Sequence, residues 1–384
     1  MNTIKALKAI FQGQIPPPGL IPEKTLNVLA SLSSARKSFS KLTNIERLIT
    51  TLCHKEPDHV PCTPMVFAAS RRLTGISYVD FSLNPEAAAD ALLVAFEFFG
   101  GEMVAPPLDL SIEASDFGQK TIYPENSTPH PDYKDPLIKD VSDYRKLKRI
   151  DLKDAKRMQN LVNTSRIMVE NMGFRGVVSG FVFGPLGILG MMRGAEHLFR
   201  DCVNYHSEVM AALDIITEVL IEYAEAQCDT GILGVTIDTL YASCGGLTKD
   251  LWEKTEGPFA REIANAIRRK KCTVAVHNCG DGVYFDSMIR FMAPNLISFA
   301  QLPDDCKSPK ELKEKYGEKV VLAGYIQTPV LSYGTPYDVI EACKRQINDL
   351  ADGGGFVLAP GCEFPPNAPL ENALAISKAA EMHG

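Results

Sequence analysis

The stretch TVAVHNCGDG, residues 273–282, decides how the rest of the chain is interpreted. Its first half is a run of apolar, mostly β-branched residues, which predicts a buried strand, and the run ends in His277 and Cys279 before a Gly-rich turn. Side chains two residues apart on a strand point to the same side, so these two should converge on one place. Because imidazole and thiolate both bind metals, the stretch predicts part of a metal site.

A third metal ligand is predicted near the C-terminus. The segment GFVLAPGC, residues 355–362, is again a short apolar strand, and Cys362 lies just past its end. Two thiolates and one imidazole suit Zn²⁺, and three protein ligands leave one coordination position open, which is typical of catalytic zinc. A single cysteine or histidine of this kind is more often part of the core, so the prediction depends on the shared position of all three after strands.

Alternating strand and helix patterns run through the second half of the chain. Between helical patterns lie short apolar runs of strand length, at 177–182, 232–237, 273–279, 296–300, 320–326 and 356–359. Repeated units of this kind predict a parallel sheet covered by helices, an α/β fold. At this length, and with no G-x-G-x-x-G or P-loop fingerprint after any strand, a closed (β/α)₈ TIM barrel is favoured over an open sheet.

The N-terminal part is predicted to lie outside the barrel. Residues 4–11 have helical apolar spacing, and a capped helix begins later, at Thr43 or Asn44. We therefore expect an N-terminal helical arm at 1–43, resting on the body or on a neighbouring subunit, and a barrel domain at 44–384.

Four segments between the arm and the regular alternation carry further expectations. Residues 65–69 are expected to form the first strand, and a helix should begin at 84–86, with proline in its first turn. The segment 123–135 holds three prolines and should be an excursion over the surface. Residues 184–190, rich in glycine, should form a flexible apolar loop.

Composition excludes several classes of protein. The 384 residues carry a formal net charge of −7 without a long basic run, which argues against a nucleic-acid partner. No apolar run is long enough to cross a bilayer, and the N-terminus lacks the pattern of an export signal, so no membrane association is expected. The ten cysteines are scattered through apolar segments, as is typical of a protein in a reducing cytoplasm.

The barrel prediction adds a test of the metal site, because chemistry in such barrels lies on the loops that follow the strands. Polar residues follow the predicted strands at Asp238, His277, Cys279, Gln301, Gln327 and Cys362. All of them should therefore lie on one rim. Two acids on an earlier apolar segment, Asp109 and Glu113, could line the same pocket, although such residues more often cap a turn or form an ion pair.

Two motifs resemble those of a known family. The strand end HNCGD at 277–281 and the C-terminal APGCEFPPNAPLEN at 359–372 resemble the uroporphyrinogen decarboxylase superfamily, and within it the cobalamin-dependent methyltransferase branch. The resemblance covers roughly residues 44–380. It implies a (β/α)₈ barrel, which in the decarboxylases is often a homodimer, zinc held by the histidine and two cysteines above, and a small corrinoid protein as partner.

The resemblance also implies a reaction, the movement of a methyl group between the cobalamin of the corrinoid protein and a small substrate. The substrate could be a thiol acceptor such as coenzyme M, or a methoxy or other methylated donor, and the sequence leaves both open. Asp281 is expected to orient His277 through its second ring nitrogen. Asp238 and Glu113 are candidate catalytic residues in the substrate pocket, and Gln327 a candidate cofactor-binding residue.

Two alternatives remain open. A uroporphyrinogen decarboxylase acting on a tetrapyrrole needs several converging cations, yet only Arg71 and Arg72 stand where the decarboxylases carry an Arg-rich stretch. A zinc-stabilised scaffold that binds a corrinoid protein without catalysis needs a fourth protein ligand, for which Cys244 is the candidate.

Overall fold

The computed structural model describes residues 23–37 and 41–384, so the helix expected at 4–11 lies outside the described residues. The strands are β1 (Met103–Val104), β2 (Thr121–Ile122), β3 (His130–Pro131), β4 (Val177–Val178), β5 (Gly180–Phe183), β6 (Gly234–Asp238), β7 (Thr273–Asn278), β8 (Leu296–Phe299), β9 (Val321–Ile326) and β10 (Phe356–Pro360). Six of them form one parallel sheet in the order β10-β9-β8-β7-β6-β5, and β1 pairs in parallel with β4. The short strands β2 and β3 form a separate antiparallel pair.

The segment 61–63 closes these strands into a ring. Its backbone exchanges two hydrogen bonds with Leu358 of β10, at 2.8 and 2.9 Å. On its other side, the carbonyl of Cys62 accepts the backbone N–H of Glu102, just before β1, at 3.0 Å. Because β4 and β5 are one strand interrupted at Ser179, the ring is continuous, and the predicted (β/α)₈ barrel is confirmed.

The first barrel strand lies earlier in the chain than the sequence predicted. Residues 65–69 do not form a strand, because Met65 has a positive φ and Ala68–Ser70 is a 3₁₀ helix. The true strand, at 61–63, was hidden by Pro61 and Pro64, because proline cannot donate a ladder hydrogen bond. The N–H of Cys62, between them, donates to the carboxylate of Glu102 at 2.6 Å.

Helices cover the outside of the ring. They are α1 (Glu23–Arg36), α2 (Asn44–Leu52), α3 (Arg71–Thr74), α4 (Tyr78–Leu83), α5 (Pro85–Phe99), α6 (Ile112–Asp116), α7 (Lys156–Met172), α8 (Pro185–Arg193), α9 (Ala195–Asn204), α10 (His206–Cys228), α11 (Lys249–Arg269), α12 (Phe285–Met292), α13 (Pro309–Tyr316), α14 (Thr328–Tyr333), α15 (Pro336–Leu350) and α16 (Leu370–His383). Two further 3₁₀ helices lie at Val141–Lys146 and Leu152–Asp154. In the described part of the chain, no helix combines the length and the apolar character needed to cross a membrane.

The segment 184–190 belongs to the buried helix α8 and is not the flexible loop that its glycines suggested. The carboxylate of Glu256 accepts the N–H of Leu186 at 3.1 Å and so fixes the first turn of this helix. Gly190 permits close packing, because a Cβ there would lie 2.3 Å from the hydroxyl of Tyr241. Here glycine serves helix packing, which a single sequence does not distinguish from loop formation.

Helices α1 and α2 lie beneath the barrel, at the end where the strands begin. Leu29 of α1 is fully buried and packs in one cluster with Ile45 and Leu48 of α2 and with residues from the strand starts. Helix α2 begins as predicted, with Thr43 as its N-cap and a capping box that includes Glu46. The two helices therefore close the lower end of the barrel.

Buried ion pairs fasten α2 to the ring. The guanidinium of Arg47 donates to Asp58 at 2.8 Å and to Glu102 at 2.6 Å. The other carboxylate oxygen of Glu102 accepts the Cys62 N–H described above. One arginine thus connects the closing helix to the strand that completes the barrel.

Candidate active site

The three predicted metal ligands meet at the upper rim of the barrel, where the strands end. His277 lies on β7, Cys279 follows that strand and Cys362 follows β10. Their ligand atoms all lie within 4.8 Å of one another. His277 is buried, Cys362 is half-buried and Cys279 is exposed, so the group lies at the boundary between the barrel interior and solvent.

Ser298 holds the imidazole of His277. The two residues are paired in the register of β7 and β8, and His277 Nδ1 lies 3.0 Å from the hydroxyl oxygen of Ser298. This contact leaves Nε2 for a metal. Asp281, which we expected to orient His277, is exposed on the loop after β7. In that loop the Gly280 N–H donates to Asn278 Oδ1 at 2.8 Å.

The two cysteines of the group influence each other strongly. Contact with the thiol of Cys279, aided by His277, lowers the pKa of Cys362 well below the usual range of a thiol. The same contact raises the pKa of Cys279. Two thiolates at this separation repel each other, and a divalent cation bound by both removes the repulsion. Two sulfurs and one imidazole nitrogen therefore fit zinc in their chemistry.

Asp238 lies beside the metal group. It ends β6, where the strand register pairs it with His277. The side chain is buried, and its Oδ1 has no hydrogen-bond partner within the described residues. Burial raises the pKa of Asp238 to about 7, although His277 opposes the shift. A buried oxygen without a partner on a cavity wall is available to a bound ligand.

A cavity of about 440 Å³ extends through the barrel below the metal group. Its wall at mid-height consists largely of small side chains, among them Ser179, Thr236 and Ala275. The interior of a (β/α)₈ barrel is normally filled by bulky branched residues, so the small side chains explain why this one is hollow. Leu48 and Leu52 of α2 line its lower end.

The Pro-rich segment 123–135, predicted to be a surface excursion, reaches the upper end of this cavity. Its Thr128 lines the cavity together with Leu110, which follows β1. The segment is braced by the side-chain amide of Gln119, which donates to the carbonyl of Asp132 at 3.1 Å. The excursion therefore contributes to the site and does not only cover the surface.

Two further acids line the cavity. The carboxylate of Glu363 accepts the backbone N–H of Ala68 at 2.7 Å, and burial raises its pKa to about 8. Asp109 accepts the N–H of Ser111 at 2.8 Å and forms a buried ion pair with Arg157. Glu363 was not predicted as a site residue, although its place next to Cys362 was a signal that could have identified it.

With this geometry described, comparison with known proteins identifies the family. The family model for uroporphyrinogen decarboxylase matches residues 43–383. The chain belongs to the uroporphyrinogen decarboxylase family.

Proteins with two different names are similar to the chain. A methylcobamide:CoM methyltransferase, MtbA, from Methanosarcina acetivorans is 24% identical over 87% of this chain and 97% of its own length. A uroporphyrinogen decarboxylase from Aliarcobacter butzleri is 22% identical over 79% of this chain and 86% of its own length. Among solved structures, a methyltransferase from Methanosarcina mazei matches with a TM-score of 0.76 at 23% identity, covering 89% of this chain and 99% of that one. That similarity supports the barrel fold.

The two arginines considered for a decarboxylase of this family are used elsewhere. The guanidinium of Arg71 stacks on the ring of Tyr78, 3.8 Å from its centroid, and Arg72 donates to the carbonyl of Ala368 at 2.6 Å. Neither residue lines the cavity. They are therefore not arranged to bind the carboxylates of a tetrapyrrole inside the barrel.

Three other predicted residues lie away from the cavity. Glu113 is fully buried, and one of its oxygens accepts the N–H of Phe183 at 3.1 Å, but Glu113 is not part of the cavity wall. Gln327 donates to the carbonyl of Ala300 at 2.7 Å and accepts from Gln301 at 3.1 Å, which braces two neighbouring rim loops. Cys244 is exposed and lies outside the group of metal-ligand atoms found among the described residues.

Proposed function

We propose that this chain is a zinc-dependent methyltransferase that moves a methyl group between the cobalamin of a partner corrinoid protein and a small substrate. One observation carries the proposal, the meeting of His277, Cys279 and Cys362 within 4.8 Å at the upper end of a hollow barrel. Three protein ligands leave a coordination position for a reacting group, whereas structural zinc normally has four. The names of the Methanosarcina relatives support the same reaction class.

Zinc bound by these three residues would supply a Lewis acid for the sulfur or oxygen atom of the substrate that gains or loses the methyl group. The chain's own residues prepare that chemistry. Ser298 fixes the orientation of His277, and the unpartnered oxygen of Asp238 can hydrogen-bond the substrate beside the metal. The apolar wall of the cavity limits access of water to the metal group from the barrel interior.

The corrinoid protein would approach from the rim, because the lower end of the barrel is closed by α2. We propose a cytoplasmic location, since Cys279 and Cys362 must remain reduced to bind metal. We further propose roles for Gln327 and for residues 1–43. Gln327 would meet the corrinoid partner at the rim, and the arm would support the barrel, which would comprise 44–384.

The first test is metal binding. The purified protein should contain about one Zn²⁺ per chain, and Cys362→Ala and His277→Ala should each lose most of it, because two ligands rarely retain zinc. Asp238→Asn should keep the metal and lose turnover, since Asp238 is outside the group of metal-ligand atoms and its unpartnered oxygen would hydrogen-bond the substrate. Zinc content is measured by elemental analysis, and undiminished zinc in both ligand variants would refute the site.

The second test is the reaction. The protein should change the absorption spectrum of methylcobalamin when a thiol is supplied, or of cob(I)alamin when a methylated donor is supplied, and a chelator should stop the change. It should release no CO₂ from uroporphyrinogen. Chelator-insensitive decarboxylation, without a corrinoid spectral change, would instead establish the decarboxylase alternative.

A further inference from the structure

The cavity below the metal group is unusual in its charges. Among the described residues that line it, the acidic side chains are those of Asp109, Asp238 and Glu363, and no lysine or arginine is present. Arg157 pairs with Asp109 but is not part of the wall. A negatively charged group in the cavity below the metal group would therefore meet acidic and apolar side chains, and no lysine or arginine.

The cavity also has a definite depth. On the chain around β7, its wall runs from Thr273 to Cys279, which corresponds to about 20 Å of strand at roughly 3.3 Å per residue. With the usual strand tilt of about 36°, roughly 16 Å remain along the barrel axis. The metal group lies at the upper end and Leu48 and Leu52 at the lower end. A molecule whose reacting atom is at the metal therefore has an apolar channel below it.

We propose that the substrate of this methyltransferase is an uncharged molecule with an apolar body, which lies in the hollow barrel while its methylated or methyl-accepting heteroatom meets the metal group. The inference rests on the proposed function and narrows its substrate class. An anionic substrate such as a sulfonate would have to leave water without a partner charge, which is strongly unfavourable. A neutral ether, thioether or thiol gains free energy by burying its body.

Two matched pairs of small molecules test the effect of charge. The pairs are methoxybenzene with 4-methoxybenzenesulfonate, and 2-mercaptoethanol with 2-mercaptoethanesulfonate, which is coenzyme M. The neutral member of each pair should bind the zinc-loaded protein at least about tenfold more tightly, as measured by titration calorimetry. Equal or tighter binding of the anionic members, or no binding of either neutral member, would overturn the proposal.

A variant tests where the body of the substrate lies. Ala275 faces the cavity one strand repeat below His277, so Ala275→Leu should fill the channel and weaken methoxybenzene binding at least about tenfold. Ala211→Leu makes the same change on the exposed face of α10 and is the matched control, which should bind like the wild type. Zinc content and melting temperature are measured for both variants. Unchanged binding in a folded, zinc-loaded Ala275→Leu protein would overturn the assignment of the channel.

The corrinoid assay separates this inference from the proposed function. Methyl transfer to or from coenzyme M, with no reaction of the neutral compounds, would leave the methyltransferase standing and overturn the substrate class. Preferential binding of the neutral compounds, with no corrinoid spectral change for any compound, would retain the uncharged-ligand site and overturn the methyltransferase.

Discussion

The contact between His277 and Ser298 determines how the imidazole meets a metal. Groups that fix a metal-binding histidine typically contribute a factor of about 10 to 100 in metal affinity. We therefore expect Ser298→Ala to weaken zinc binding at least about tenfold, because the ring would lose its 3.0 Å partner. Affinity is measured by competition with a chelating indicator.

Asp281→Asn is the matched control for this prediction, since Asp281 is exposed on the loop after β7. Its zinc affinity should equal that of the wild type. The opposite pattern, with weaker binding in Asp281→Asn and normal binding in Ser298→Ala, would restore the role that the sequence suggested for Asp281.

Glu113 provides a prediction about pH. Burial raises its pKa from 4.5 to about 7, so the folded protein keeps a proton on Glu113 that the unfolded chain has already released at pH 6. Stability from this group is therefore present at low pH and is lost as pH rises from about 4.5 through 7. The free energy of unfolding lost in this way is on the order of 3 kcal/mol, since one pKa unit corresponds to about 1.4 kcal/mol.

Glu113→Gln removes this titration while its amide oxygen can still accept the N–H of Phe183. The free energy of unfolding, measured in urea between pH 5 and pH 8, should fall less steeply in the variant than in the wild type. The other buried acids titrate in both proteins, so the difference isolates Glu113. Parallel curves would show that Glu113 stays ionised in the folded protein.

The metal group could be predicted from sequence because two of its members lie two residues apart at the end of one strand. His277 and Cys279 share a side of the chain in any strand, and Cys362 follows another apolar run. The partner of His277 could not be predicted in the same way, because Ser298 reaches it only through the register of β7 with β8. Asp281 is nearer to His277 in sequence, and for that reason the sequence favours it as the partner.

At the scale of elements, helix α1 supports the barrel from below. Leu29 is fully buried between α2 and the strand starts, so Leu29→Ala should reduce the free energy of unfolding by about 2–5 kcal/mol. Leu32 lies on the same helix but is 49% exposed, and Leu32→Ala should change it by less than about 0.5 kcal/mol. Equal effects in urea unfolding would mean that α1 does not pack on the barrel as described.

Most helices and strands of the second half could be predicted, because apolar periodicity there agrees with the tertiary structure. The runs predicted at 273–279, 296–300 and 320–326 form β7, β8 and β9, with ends within one residue of the predicted ones. Prediction failed where a residue type has two structural uses. Proline argues against a strand, yet Pro61 lies in the segment that closes the ring, and glycine at 187 and 190 suggested a loop but permits helix packing.

At the scale of the whole molecule, the two ends of the barrel differ in what they can bind. The lower end is occupied by α1 and α2, with Arg47 fixing α2 to the ring through Asp58 and Glu102. The upper end carries the metal group, Asp238 and the Pro-rich segment that reaches Thr128. All chemistry and all recognition of small molecules should therefore take place at one pole of the molecule.

The closed lower end of the cavity has a kinetic consequence. In the proposed reaction the small substrate and the corrinoid protein share one entrance, so a substrate lying deep in the barrel must load before the corrinoid protein covers the rim. At high concentration, the corrinoid protein should therefore inhibit turnover by occupying empty barrels, and more small substrate should relieve the inhibition. Initial rates over a grid of both concentrations test this, and simple saturation at every ratio would exclude it. Leu48 and Leu52, which close the lower end of the cavity far from the metal group, would then make the small substrate bind before the corrinoid protein.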